Sequence, residues 1–239
     1  NHQGEIAELC EIAEPTHGLI TNIGKAHLEG FGGVEGVKKG KSELYRYLEK
    51  SGGLAFVNQG EPLLEDLSEG VKNRVFYLPS DSPSIEVSPI EMKLIQSEPF
   101  VKVAYLGKNG LTEITTQLIG KYNFQNVMTA VVLGRYFKVP EEKMQTAIAG
   151  YRSENNRSQV VKKGSNTFIL DAYNANPTSM ENALQAFATR AEAQKIVILG
   201  DMLELGEYSE WEHAQILEKA RTLFGEQVVL VGEEFRKAA

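Results

Sequence analysis

A histidine and a lysine near the start of the chain are the first residues whose types could do chemistry. His27 lies in a polar loop after an apolar segment at residues 19–23, and Lys41 lies in the helical pattern that follows the loop. Open α/β sheets bind ligands at the carboxyl ends of their strands, which is where His27 would stand. Both residue types are also common on protein surfaces, so their spacing alone favours two solvated side chains.

A glycine- and lysine-rich stretch, Gly36 to Ser42, partly matches a phosphate-binding loop. The P-loop pattern needs four residues between its glycines, whereas only three separate Gly36 from Gly40. The stretch also lies within a helical pattern, whereas a P-loop directly follows a strand. We therefore reject it as a phosphate cradle, which disfavours a generic P-loop protein.

Polar residues also follow two strands predicted in the second half of the chain. The string from Asp171 to Pro177 contains an aspartate, a tyrosine and two asparagines, which can bind the ribose and phosphates of a nucleotide. An Asx-turn and a helix cap before Pro177 explain the same residues equally well. The string from Gly200 to Gly206 repeats the theme after the next strand.

Three further polar residues have both a structural and a functional interpretation. Asn123 and Asn126 begin a helical pattern, where capping by Asn123 is the simpler role, although an Asn side chain can also read an adenine edge. Arg157 lies in a polar segment, residues 153–158, that is typical of a linker. It could bind a nucleotide phosphate, but single arginines in linkers are more often solvated.

The elements that must position these residues alternate between strand and helix. Apolar segments typical of strands occur at residues 19–23, 54–57 and 75–78, with helical spacing between them. This alternation predicts a largely parallel sheet with helices on its faces. Residues 84–117 instead contain short β-like runs, one of them at residues 85–87, and a Lys-Asn-Gly turn, which predict an attached antiparallel patch.

A second α/β unit is predicted after residue 150. Its strands are expected at residues 159–161, 167–171, 195–199 and 227–231, with helices at residues 179–191 and 208–224. The fold class is therefore α/β, with a parallel-sheet domain at residues 1–150 and a Rossmann-like domain at residues 151–239.

The composition excludes several classes of protein. The 239 residues carry a formal net charge of −7, which offers no basic field for nucleic acid or an anionic membrane. The single cysteine, Cys10, cannot form a disulfide within the chain, which fits a reducing compartment. No apolar run approaches the roughly 18 residues of a membrane span. We therefore expect a cytoplasmic protein with no nucleic-acid partner and no membrane insertion. Separately, we expect it to be a monomer.

Taken in order, these segments resemble the central ATPase domain and the C-terminal domain of the Mur ligase family. The matching strings are Gly4-Glu5-Ile6, Thr21 to Gly32, Lys41-Ser42-Glu43, Asn123 with Asn126, Arg157, Asp171 to Pro177, and Gly200 to Gly206. The resemblance covers nearly the whole chain and is weakest between residues 60 and 115. Each motif alone is weak evidence, whereas their common order is specific.

The resemblance implies ADP-forming amide synthesis. The last two strings are similar to those of the family member that adds D-alanyl-D-alanine to UDP-N-acetylmuramoyl-tripeptide, a step of peptidoglycan precursor synthesis. There the tripeptide carboxylate attacks the γ-phosphoryl group of ATP, and the dipeptide amine then displaces phosphate from the acyl phosphate. Mg²⁺ ions would neutralise the charge between the reacting anions.

The resemblance also assigns roles to single residues. His27 matches a magnesium-binding histidine, and Lys41 matches a lysine that CO₂ carbamylates, which converts an ammonium into an oxygen ligand for Mg²⁺. The matches at the nucleotide are an adenine-contacting Asn123, a phosphate-binding Arg157, a ribose-binding Asp171, and the neighbouring Tyr173, Asn174 and Asn176. The family's His-Asn pair before the adenine helix is Tyr122-Asn123 here, so no residue is assigned to the contact of that histidine.

The resemblance further predicts that the chain is part of a longer protein. The family's UDP-sugar-binding domain, its Gly-Lys-Thr phosphate loop and an acidic magnesium ligand would lie before Asn1, and the last part of the C-terminal domain would follow Ala239. We therefore expect both domains to be partial and the chain alone to be inactive in ligation.

Two alternatives stay open. The first is another ligase of the superfamily, either a sibling that adds an earlier amino acid or a folylpolyglutamate synthetase. The second is a non-catalytic nucleotide-binding module that reuses the fold. The string from Asp171 to Pro177 argues against the first, and loss of turnover on replacement of Lys41 would argue against the second.

Overall fold

The structure is a computed structural model, and it describes residues 2–83, 89–192 and 194–239. One six-stranded sheet lies between residues 17 and 115, with its strands side by side in chain order. The strands are β1 (His17–Leu19), β2 (Leu54–Asn58), β3 (Asn73–Pro79), β4 (Ile90–Gln96), β5 (Lys102–Gly107) and β6 (Gly110–Thr115). The pairs from β1 to β4 are parallel, and the pairs from β4 to β6 are antiparallel. The parallel sheet with an antiparallel patch is therefore confirmed, and the run predicted at residues 85–87 lies outside the described residues.

The first strand ends earlier than the sequence pattern predicts. A strand is predicted at residues 19–23, whereas β1 ends at Leu19 and a loop follows. From this loop the side chains of Ile20 and Ile23 pack into apolar clusters. Burial rather than strand pairing therefore explains the apolar run, and the loop leads away from the sheet toward the His27 region.

The helices of the first half surround this sheet. They are α1 (Glu5–Ala13), α2 (Leu28–Phe31), α3 (Val34–Lys41), α4 (Glu43–Ser51), α5 (Pro62–Leu67), α6 (Asn123–Tyr136) and α7 (Glu141–Gly150). Phe124, Val127, Met128 and Val131 form one buried stripe of α6, which packs on the core of the sheet. Each such side chain contributes roughly 1.5–3 kcal/mol when fully buried. This packing anchors the start of α6, where Asn123 lies.

The second half is a smaller α/β unit, in agreement with the predicted fold class. Its elements are β7 (Gln159–Lys163), β8 (Asn166–Leu170), α8 (Pro177–Ala188), β9 (Val197–Gly200), a 3₁₀ turn (Gly206–Tyr208), α9 (Ser209–Phe224), β10 (Val228–Val231) and α10 (Glu233–Ala238). β9 and β10, which α9 connects along the chain, pair in parallel. β7 and β8 form an antiparallel hairpin, because the two residues that join them are too few for a parallel crossover.

None of the described helices is both long and apolar enough to cross a membrane.

One apolar cluster is shared by the two halves of the chain. Leu28 and Phe31 of α2 are buried in the same cluster as Met202, Leu205 and Phe235 of the second half. The boundary predicted near residue 150 coincides with the end of α7 and stays a prediction. Because α2 directly follows His27, the shared cluster fixes where the His27 loop lies relative to the second half.

Candidate functional site

His27 faces a carboxylate from the second half of the chain. Its Nδ1 atom is within hydrogen-bonding contact of the Glu204 carboxylate. Both residues have left-handed backbones, with φ of 56° at His27 and 61° at Glu204. Such φ values are uncommon for residues other than glycine, and strain of this kind persists only where the surrounding structure imposes it. The contact of two such residues across the two halves makes this place a candidate functional site.

Lys41, the last residue of α3, points its amine at the same loop. Its Nζ atom donates a hydrogen bond to the backbone oxygen of Asn22 at 2.9 Å. Within the described ranges, no carboxylate lies within ion-pair distance of Lys41. Burial lowers the pKa of the Lys41 ammonium, which raises the fraction of neutral amine. The neutral amine is the form that can attack CO₂, so the environment of Lys41 suits carbamylation.

The donors at this loop fit part of a Mg²⁺ shell. Among the residues that the structure describes, no group of three or more His, Cys, Asp or Glu side chains could hold a metal ion. Mg²⁺ is commonly bound by one or two carboxylates together with waters and substrate phosphates, so it does not need a complete protein cage. A carbamate on Lys41 would supply an oxygen ligand, and His27 would supply a nitrogen ligand.

A second polar cluster surrounds Asp171 at the end of β8. The Asp171 carboxylate accepts hydrogen bonds from the Ser158 backbone amide at 3.1 Å and from the Ser158 hydroxyl at 3.2 Å. The same hydroxyl contacts the phenol of Tyr122, which precedes α6. Burial raises the pKa of the Asp171 carboxyl, while the Ser158 hydrogen bonds and the charge of Arg157 act in the opposite direction. Asp171 is thus held beside the start of α6.

Arg157 belongs to this second cluster. Its guanidinium carbon lies 3.9 Å from the ring centroid of Tyr173, in a cation–π contact. The backbone oxygen of Asn156 accepts hydrogen bonds from the amides of Ala172 and Tyr173, at 2.8 and 3.2 Å. The segment predicted as a linker is therefore folded against the Asp171 string, and Arg157 is ordered by an aromatic ring.

The capping role expected for Asn123 is wrong. Asn123 is the first residue of α6, and the residue before it, Tyr122, stands at the cap position without a side-chain cap. The Asn123 amide nitrogen instead donates to the Ile119 carbonyl at 2.8 Å, and its oxygen accepts from the Asn126 side chain at 2.9 Å. The buried side chain therefore fixes the turn before α6 and orients the exposed Asn126.

Asn174 and Asn176 have local structural partners. Asn176 caps α8, because its side chain accepts from the Ser179 amide at 3.0 Å while its own amide donates to the Ser179 hydroxyl at 3.1 Å. The Asn174 oxygen accepts from the Ala175 amide at 3.0 Å. The turn-and-cap interpretation of the string thus holds for these two asparagines, whereas Asp171 lies in the polar cluster.

Three residues that the sequence analysis did not single out complete the arrangement. Ser158 links Asp171 to Tyr122, Glu204 faces His27, and the Thr178 hydroxyl accepts from the Lys25 amide at 3.0 Å. Glu204 and Thr178 lie inside or beside polar strings that the sequence displays, but their partners lie far away along the chain. Segment 171–178 therefore touches the Asp171 cluster at one end and the His27 loop at the other.

Family models match both halves of the chain. The Mur ligase middle domain model matches residues 1–134, and the model of the Mur ligase, glutamate ligase domain matches residues 156–239. A curated relative from Bacillus subtilis, UDP-N-acetylmuramoyl-tripeptide--D-alanyl-D-alanine ligase, is 31% identical over an alignment of 223 residues, and the match covers 89% of this chain and 45% of the relative. The chain spans about half the length of the curated relatives it matches.

Solved structures show the same likeness. A crystal structure of MurF from Acinetobacter baumannii has a TM-score of 0.83 and 28% identity, and the match covers 99% of this chain and 51% of that one. The MurF ligase of Thermotoga maritima, solved in complex with ADP, has a TM-score of 0.77 over 97% of this chain and 56% of that one. Because the identity is only 22%, this likeness shows a common fold and nothing more.

Proposed function

The chain belongs to the Mur ligase family, and on this premise we propose that its full-length protein joins D-alanyl-D-alanine to UDP-N-acetylmuramoyl-tripeptide with ATP. The observation that carries the proposal is the path of segment 171–178. It joins a polar cluster suited to a nucleotide, at Asp171, to a loop suited to Mg²⁺, at His27. Phosphoryl transfer from ATP requires that the nucleotide and the Mg²⁺ ion bind next to each other.

The proposed reaction brings an anion to a polyanion. The carboxylate of the tripeptide attacks the γ-phosphorus, the bond to the β-phosphate oxygen breaks, and ADP leaves. The amine of D-alanyl-D-alanine then attacks the acyl phosphate, loses a proton and expels phosphate. Mg²⁺ held by His27 and carbamylated Lys41 would neutralise charge between the reactants and polarise the transferred phosphoryl group. Placement and charge neutralisation are therefore the main tasks of the protein.

The side chains of the second cluster suit the nucleotide. The Asp171 carboxylate can accept hydrogen bonds from ribose hydroxyls, and the Arg157 guanidinium can bind phosphate oxygens in a bidentate manner. The Tyr173 ring orders this guanidinium before the nucleotide binds. Asn174 and Asn176 hold the turn before α8, and Asn123 holds the turn before α6. The contact of Asn123 with adenine stays a prediction.

The Mg²⁺ ligands that we propose in this chain are His27 and carbamylated Lys41. Support comes from the burial-lowered pKa of Lys41 and from the strained backbone that orients His27. The remaining ligands would be phosphate oxygens and water. The ADP complex of the Thermotoga maritima relative is consistent with a nucleotide substrate in this family.

The ligase proposal is tested with the full-length protein. With ATP, Mg²⁺ and UDP-N-acetylmuramoyl-tripeptide, we expect release of ADP and phosphate that requires D-alanyl-D-alanine. Free amino acids and folate with glutamate serve as controls for the sibling ligases and for folylpolyglutamate synthetase. Turnover with one of these in place of the dipeptide would overturn the assignment, and nucleotide binding without any turnover would favour a non-catalytic module.

Carbamylation of Lys41 is expected to depend on CO₂ and pH. Reaction with CO₂ consumes the neutral amine, whose fraction falls as the pH falls, so carbamate should be lost on acidification and increase toward alkaline pH. The measurement is the carbamate signal in ¹³C NMR of the full-length protein with labelled bicarbonate. Lys39→Ala, which alters an exposed lysine of the same helix, is the matched control. A signal that survives in Lys41→Ala would contradict this assignment.

The aromatic ring of Tyr173 is expected to contribute more to ATP binding than its hydroxyl. Tyr173→Leu removes the surface on which Arg157 stacks, whereas Tyr173→Phe keeps it. An exposed cation–π contact contributes about 0.5–1 kcal/mol, so Tyr173→Leu should weaken ATP binding about 2–5-fold. Titration calorimetry of the full-length variants measures this difference. Equal weakening in Tyr173→Phe would show that the hydroxyl, rather than the ring, makes the contact.

The proposed reaction places the protein in the cytoplasm, where ATP and UDP-linked precursors occur. The expectation of a monomer without a nucleic-acid partner stays a prediction.

A further inference from the structure

The loop that carries His27 is attached to the second half of the chain by Lys25. The Lys25 Nζ atom lies 2.7 Å from a carboxylate oxygen of Glu212, the fourth residue of α9. The same Nζ atom lies 4.8 Å from the ring centroid of Trp211. The backbone amide of Lys25 donates to the Thr178 hydroxyl at 3.0 Å. Lys25 thus contacts both α8 and α9 of the second half.

Glu212 is an unusual residue to find at this place. Its side chain is 5% exposed, whereas that of Lys25 is 40% exposed. In the described part of the chain, Lys25 is the basic residue within ion-pair distance of Glu212. A buried carboxylate is strongly destabilising without a partner, whereas a half-exposed ammonium can be solvated by water. The pair therefore differs from solvated surface pairs, whose contribution is close to zero.

A second attachment follows His27 along the chain. The Glu29 amide donates to the Glu204 backbone oxygen at 3.1 Å, and the buried side chains of Leu28 and Phe31 belong to the apolar cluster that the two halves share. His27 lies between this attachment and Lys25. The direction of its imidazole toward Glu204 is consequently determined by contacts with the second half.

We propose that Lys25 is a positioning residue for the metal site. Its ion pair with Glu212 and its contact with Trp211 hold the loop so that the His27 side chain has the orientation in which Mg²⁺ can bind. The proposal rests on the proposed function for the role of His27. It adds a residue that touches neither nucleotide nor metal and acts through the loop.

The burial of the two partners makes their substitutions unequal. Lys25→Met leaves the Glu212 carboxylate buried without its partner, whereas Glu212→Gln leaves an ammonium that water can reach. We therefore expect a larger effect for Lys25→Met. The double variant should be disturbed less than the sum of the two single variants, because it contains no unpaired buried charge.

Hydrogen exchange of the full-length protein tests the attachment without using catalysis. In peptides that cover residues 22–33, amide exchange should be about tenfold faster in Lys25→Met and less accelerated in Glu212→Gln. Glu181→Gln is the matched control, because Glu181 pairs with Lys219 between two helices of the second half. It should leave exchange of the loop as in the unchanged protein. Wild-type exchange in both Lys25→Met and Glu212→Gln would overturn the proposal, and Glu212→Gln remains informative if Lys25→Met fails to fold.

Kinetics then separate positioning from a general loss of stability. Lys25→Met should raise the Mg²⁺ concentration needed for half-maximal turnover about tenfold, while the KM for ATP at saturating Mg²⁺ stays within about twofold. An unchanged Mg²⁺ requirement would overturn the positioning role. If the loop loosens as expected but no ligation occurs in the unchanged protein, the attachment stands and the ligase function fails.

Discussion

Lys41→Ala is expected to lower kcat of the full-length ligase by about 10³-fold, with partial recovery when a short carboxylate such as formate is added. The substitution removes the carbamate that we propose as an oxygen ligand of Mg²⁺. Without it, repulsion between the substrate carboxylate and the γ-phosphate is no longer balanced. A small carboxylate can enter the space left by the side chain and supply a similar oxygen. The measurement is steady-state release of phosphate with and without formate.

The same variant should remain folded. Within the described residues no carboxylate pairs with Lys41, so alanine leaves no unpaired charge at this place. We therefore expect no fall in Tm. Lys39→Ala should keep wild-type turnover and show no response to formate. Unchanged turnover in a well-folded Lys41→Ala protein would remove Lys41 from the metal site.

Arg157→Met is expected to raise the KM for ATP about 10–100-fold. The guanidinium would form charge-assisted hydrogen bonds with a phosphate, and such bonds contribute about 1.5–3 kcal/mol each. Methionine retains apolar contact with the Tyr173 ring but has neither charge nor donors. Arg157→Lys should recover only part of the affinity, because an ammonium cannot bind phosphate in a bidentate manner. Initial rates at varied ATP concentration measure the effect.

A surface arginine provides the control for Arg157. Arg236 pairs with Glu233 on α10, and its side chain is 74% exposed. Arg236→Met makes the same chemical change away from the Tyr173 cluster and should leave the KM for ATP unaltered. An equal KM for ATP in Arg157→Met and in the unchanged protein would show that Arg157 does not bind the nucleotide.

Local patterns predicted much of the fold because they depend on neighbouring residues. The turn at Lys108-Asn109 joins β5 to β6 with Gly107 opposite Gly110, as the antiparallel patch requires. Gly110 has φ of 112°, which glycine adopts without strain. The local pattern predicted too long a first strand. Ile20 and Ile23 are apolar because their side chains are wholly or partly buried, but they lie in a loop and do not pair with a neighbouring strand.

The sequence by itself determined the chemistry available to this protein. The sequence predicted the strand–helix alternation and the order of the motifs, and it located His27, Lys41 and Asp171. These predictions were possible because each of them depends on residue types at short spacing. Tertiary structure alone decided which distant residues meet. Glu204 faces His27 across 177 positions, and Glu212 of α9 meets Lys25 of the loop before α2. Such contacts depend on the path of the whole chain and on the shared apolar cluster, neither of which any short segment specifies.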